Sequence, residues 1–77
     1  MSTAALNSFP KYQVMAPWGD VLHECNNLAE ARRETVEWAA YDDIEVTLMN
    51  VATAEEVMTV DGYADANRRF PKLASKV

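Results

Sequence analysis

The stretch WAAYDDIEVTLMNV, Trp38–Val51, sets the end of a helix, two acids and an alternating strand side by side with almost nothing between them. Ile44, Val46 and Leu48 alternate with Glu45, Thr47 and Met49, which is the period of a strand buried on one face. Tyr41-Asp42-Asp43 is read as the connection. A link that short makes the helix fold straight back, so that Ile44, Val46 and Leu48 point at it and Glu45, Thr47 and Met49 face away.

Upstream, Asn27-Leu28-Ala29-Glu30 places an N-cap side chain three residues before a carboxylate, a capping-box variant that opens the helix. At about 100° per residue, Leu28, Ala31, Thr35, Val36, Trp38 and Ala39 fall on one side, and Glu30, Glu34 and Glu37 on the other. Arg33 is spaced to pair with Glu30 and Glu37. Before the helix, Tyr12, Val14 and Ala16 alternate with Lys11, Gln13 and Met15, Pro17-Trp18-Gly19-Asp20 reads as a turn, and Val21 to Cys25 is extended again, which predicts a β-hairpin. Trp18, at the hairpin tip, is either an exposed apolar anchor or a cap on the core.

Downstream, Thr53-Ala54-Glu55-Glu56 is a second capping-box signal and tips 54–60 slightly toward a short helix, although Val57-Met58-Thr59-Val60 suits a fourth strand equally well. The expected fold is therefore α+β: a small antiparallel sheet in a ββαβ core, packed against one main helix, with a short C-terminal helix or strand. One face of that sheet is left bare. The expected organisation is a flexible N-terminal arm over 1–10, a single domain over 11–62, and a basic tail over 63–77 with one helical turn before Pro71.

A chain of 77 residues has room for one core, and its seven aromatics and 49% hydrophobic content suit a folded domain rather than a disordered one. No run approaches the length of a membrane span and the N-terminus lacks the pattern of a signal peptide, so the expectation is a cytoplasmic protein with no membrane partner. Charge divides sharply along the chain. Residues 1–60 hold ten acids against three bases, net −7, whereas 61–77 hold two acids against four bases, net +2. An acidic body repels phosphate backbones, so direct nucleic-acid binding is not expected, and the same field steers the protein toward a basic surface on another protein.

Catalytic and cofactor signals are sparse. His23 and Cys25 fall on one face of the second strand, where they could lie side by side, but no third orienting group stands at recognisable spacing. Two such ligands are too few for a structural zinc site. Two glycines make no phosphate-cradling loop, and Asp42-Asp43 with Glu45 lacks the spaced oxygens of a calcium loop. Neither an enzyme nor a cofactor or metal requirement is expected.

Leu28-Ala29-Glu30-Ala31 followed by Ile44-Glu45-Val46-Thr47 resembles the helix-then-strand unit of the small phage-encoded inhibitors of bacterial RNA polymerase, where a Leu-x-Glu-Ala helix start leads to a Phe-Glu-Val-Thr strand. It differs from them at Leu48 and Asn50, where that family carries basic residues. In size, acidity and make-up the chain is also similar to several anti-CRISPR proteins. These resemblances imply a small binding module that covers a host's nucleic-acid-handling complex. Glu34, Glu37, Asp42, Asp43 and Glu45 would then compete for its Lys and Arg side chains, with Trp18 as the apolar anchor. The alternative is a structural or assembly protein that forms a homodimer through the bare sheet face or an edge strand.

Overall fold

A computed structural model describes residues 10–75, and the arm expected over 1–10 falls almost wholly outside them. Four strands, β1 (Tyr12–Met15), β2 (Val21–Cys25), β3 (Glu45–Asn50) and β4 (Glu55–Asp61), form one antiparallel sheet in the order β2-β1-β3-β4. The main helix, α1 (Leu28–Asp42), joins β2 to β3. Two short helices, α2 (Gly62–Arg69) and α3 (Pro71–Ala74), follow β4. The α+β fold expected from the sequence is the one observed.

Alternation puts Tyr12, Val14, Val46, Leu48 and Val60 on the helix side of the sheet, where they meet Ala31, Val36, Ala39 and Ala40 of α1. Leu48, Val14, Val36, Val46 and Val60 are completely buried. The small side chains of α1 let its backbone come close to the sheet. The one buried polar side chain among the described residues, Thr35, donates its hydroxyl to the Ala31 carbonyl at 2.7 Å. Two expectations for the apolar side of α1 are corrected: Leu28, at the first turn, is 40% exposed, and Trp38 only borders the core while Ala40 enters it.

α1 opens as read, with Asn27 Oδ1 accepting from the Glu30 amide at 2.9 Å. It runs longer than expected, through Tyr41 and Asp42, and stops where Asp43 takes a left-handed conformation (φ 54°). The connection to β3 is therefore only Asp43-Ile44.

The helix favoured for 54–60 is a strand. Asn50 Oδ1 accepts from the amides of Ala52 and Thr53 at 3.0 and 3.3 Å, so Thr53 closes an Asx-type turn instead of capping a helix. Glu56 accepts from the Thr59 hydroxyl at 2.8 Å instead of folding back on Thr53. Val60 pairs with Val46 and Met58 with Leu48, and burying that strand face outweighs a weak local helix signal.

The segment expected as a basic tail is, through Ser75, part of the folded body. Ala66 and Ala74 are buried in the core cluster, and Phe70 and Leu73 pack against it. α2 is held by Asp65, which accepts from the Asp61 amide at 2.9 Å and pairs with Arg68 and Arg69. Those bonds, the amide of Asp61 foremost, hold the Asp65 carboxyl down to about 2.

Candidate protein-docking surface

The topology gathers five segments at one end of the molecule. β1 pairs Met15 with Thr47, so the β1–β2 turn lies toward the beginning of β3. Glu45, at that beginning, pairs with Asp61 at the end of β4. α1 ends there as it hands the chain to β3, and α2 starts there as it leaves β4. Segments 15–21, 38–46 and 58–65 thus share this end, and between them they contain no Lys, Arg or His.

Three large side chains stand in solvent on these segments: Trp18 is 63% exposed, Tyr41 76% and Tyr63 52%. Trp18 is the exposed residue of the two alternatives the sequence left open. Its indole N–H donates to Asp20 Oδ2 at 2.8 Å, across a turn closed by the Gly19 amide on the Ala16 carbonyl. Gly19 is the residue that tolerates this turn's positive φ of 99°.

Carboxylates share these segments with the aromatics. Among the described residues, Asp20, Asp42, Glu45 and Asp61 have no ion-pair partner. Glu45 and Asp61 face each other across the strands on the uncovered side of the sheet, a like-charge cross-strand pair that weakens the isolated fold. Asp43 has a different task. Its Oδ1 accepts from the Tyr63 amide at 2.9 Å while the Gly62 amide donates to the Ile44 carbonyl at 3.0 Å, so the α1–β3 link is tied to the start of α2. That tie anchors this end within the fold itself.

Glu34 and Glu37, also expected at the binding surface, stand elsewhere on α1 and are engaged. Glu37 lies 4.0 Å from Arg33, and Glu34 lies 3.8 Å from both Arg33 and the His23 ring. Of the acids singled out from the sequence, the structure thus brings together Asp42, Asp43 and Glu45 with Trp18. Tyr41, Tyr63, Asp20 and Asp61 join them, and the sequence reading missed them because they sit on four different segments. The signal that could have found them is the long basic-free run from Ala39 to Asp65, visible once the segments are known to share an end.

The rest of the uncovered sheet face carries Gln13, Met15, Thr47, Met49 and Thr59, with Glu24 and Glu56 toward the two edges. None of the four strands contains a Lys or Arg. Away from both surfaces, a cleft of about 270 Å³ between α1, β4 and α2 is lined by Leu28, Arg32, Val57, Met58, Arg69 and Phe70. No helix of the described residues is long and apolar enough to cross a membrane. No protein-family model matches this chain, and no curated protein or solved structure matches it either.

Proposed function

We propose that this chain is a small acidic protein-binding module that docks, through its aromatic and acidic end, on the basic nucleic-acid-binding surface of another protein. It would then block or regulate a host complex in the manner of phage- or mobile-element-encoded inhibitors. The observation that carries the proposal is that exposed Trp18, Tyr41 and Tyr63 share one end of the fold with Asp20, Asp42, Glu45 and Asp61, none of them in an ion pair among the described residues, on segments free of basic residues.

Tryptophan and tyrosine dominate binding hot spots because they bury a large area with few rotatable bonds, and each keeps a polar tip. The surrounding carboxylates set the sign of the partner: they steer the end toward Lys and Arg and repel a nucleic-acid backbone. A basic groove that holds nucleic acid offers both cations and space for planar rings. Homodimer formation through the uncovered sheet face is the weaker reading, because a second copy there would set Glu24, Glu45, Glu56 and Asp61 against their counterparts.

The test is capture from a bacterial lysate by the immobilised full-length chain and by a Trp18→Ala/Glu45→Gln variant, with bound proteins identified by mass spectrometry. Recovery of a nucleic-acid-handling protein by the parent and its loss from the variant is the expected result. Equal recovery by both proteins, or a self-associated chain that captures nothing, argues against the proposal.

A further inference from the structure

Away from the docking end, the edge strand β2 and the first turns of α1 bring together three different metal-ligating groups. His23 and Cys25, alternate residues of β2, both lie on the helix side of the sheet, since they pair with Val14 and Tyr12. Glu30 reaches them from α1. Its Oε2 lies 2.8 Å from His23 Nε2, and one ligand atom each from His23, Cys25 and Glu30 lie within 4.8 Å of one another. Ligand atoms on a tetrahedral zinc ion are roughly 3.3–3.6 Å apart, given bond lengths of about 2.0–2.3 Å, so an ion entering the set would draw the thiol in and part the His23–Glu30 contact by a few tenths of an ångström.

We propose that His23 Nε2, Cys25 Sγ and Glu30 form a binding site for a borderline-soft divalent cation of the zinc class. Two features beyond proximity support it. The donor set of one imidazole, one thiolate and one carboxylate selects zinc over magnesium or calcium, which take oxygen ligands. The far side of the imidazole is also prepared: Glu34 Oε1 lies 3.8 Å from His23 Nδ1. A histidine bound to metal through one ring nitrogen commonly gives the N–H of the other to a carboxylate, which fixes the tautomer and turns the ring toward the ion.

Glu30 and Glu34 are one helical turn apart, so the same face of α1 supplies the ligand and the group that orients the ring. Glu34 stands at the opposite ring nitrogen and so acts as a positioning residue. The His23 and Glu30 side chains are 28% and 40% exposed, which leaves a fourth position open to water or to a donor from another molecule. Cys25 Sγ now donates to the Asn27 carbonyl at 3.4 Å, and loses that proton when the ion binds. A bound ion would clip the edge strand to the start of α1.

Cobalt(II) is the probe, titrated into the full-length protein held reduced by a phosphine. The expected result is one cobalt per chain, with a thiolate-to-cobalt charge-transfer band in the near ultraviolet and visible bands of a four-coordinate ion, all displaced by zinc. Cys25→Ser should lose the charge-transfer band, and Glu30→Gln should bind at least tenfold more weakly. Glu34→Gln should keep the band and bind roughly 10–100-fold more weakly. Zinc should also raise the melting temperature of the parent and not of Cys25→Ser. Absence of the charge-transfer band in the parent at equimolar cobalt would overturn the assignment, whatever the variants do. So would zinc affinity unchanged in both Cys25→Ser and Glu30→Gln.

Discussion

Replacing Gly62 with alanine strikes the tie that holds the docking end together. Gly62 has φ 82°, and a Cβ built on it would stand 2.7 Å from Asp43 Oδ1, the atom that accepts from the Tyr63 amide. An alanine held in a left-handed conformation costs about 1–2 kcal/mol. The Asp43 carboxylate is the free end of a side chain and would swing aside, giving up its bond to Tyr63. That loss is worth about 1 kcal/mol, comparable to a helix cap, because water can reach the exposed amide. The sum is about 2–3 kcal/mol, or roughly 10–20 °C in melting temperature for a domain of this size. Urea and thermal unfolding followed by circular dichroism measure it. In an Asp43→Gly background the clash and the bond are both absent while the backbone stays permissive, so Gly62→Ala should then cost only the ~1–2 kcal/mol of conformation. Equal losses in the two backgrounds would refute the coupling between Asp43 and Gly62, and a loss below about 0.5 kcal/mol in the parent would refute the strained position itself.

The Asp65 carboxyl lies at about 2, below its ordinary 3.8, so the stability it lends is complete above pH ~4 and is lost as the pH falls toward ~2. Asp65→Asn should be less stable at neutral pH and show a flatter acid limb over that window, read by thermal melts at a series of pH values. Ala54 carries φ 59° in the exposed β3–β4 turn, so Ala54→Gly should stabilise the fold by up to about 1 kcal/mol, checked by chemical denaturation. Deleting residues 70–77 removes Ala74 from the core and Phe70 and Leu73 from its border, and should cost several degrees of melting temperature. A truncated chain that melts like the parent would mean that α3 does not share the core.

The fold was legible where one pattern dominated. Asn27 with Glu30, the alternation of Tyr12, Val14 and Ala16, and that of Val46 and Leu48 each left a single reading, and the structure follows all of them. The strand β4 was obscured because Thr53 and Glu56 imitate a helix start. The deciding partner, the side chain of Asn50, belongs to the preceding strand. The C-terminal helices were hidden by charge: Arg68 and Arg69 read as a soluble tail, but both fold onto Asp65 while the small Ala66 between them and Gly62 takes the buried position. For the docking surface, the residues singled out from the sequence shared one sign but not one place. Glu34 and Glu37 belong to the His23 and Arg33 side of α1, whereas Asp61, Tyr41 and Tyr63 come to the same end of the fold as Glu45 and Trp18 only through the pairing of β3 with β4 and the return of α1.

The association rate with the captured partner, measured by stopped flow at several salt concentrations, tests the docking surface most directly. Three proteins are compared: the parent, an Asp42→Asn/Glu45→Gln/Asp61→Asn variant of the docking end, and a Glu34→Gln/Glu37→Gln variant of the α1 side. Electrostatic steering by the docking end predicts slower association and a flatter salt dependence for the first variant, with rates close to the parent for the second. Indifference of the rate to the docking-end changes, or an equal loss from the α1-side changes, would contradict the assignment of this end as the contact surface.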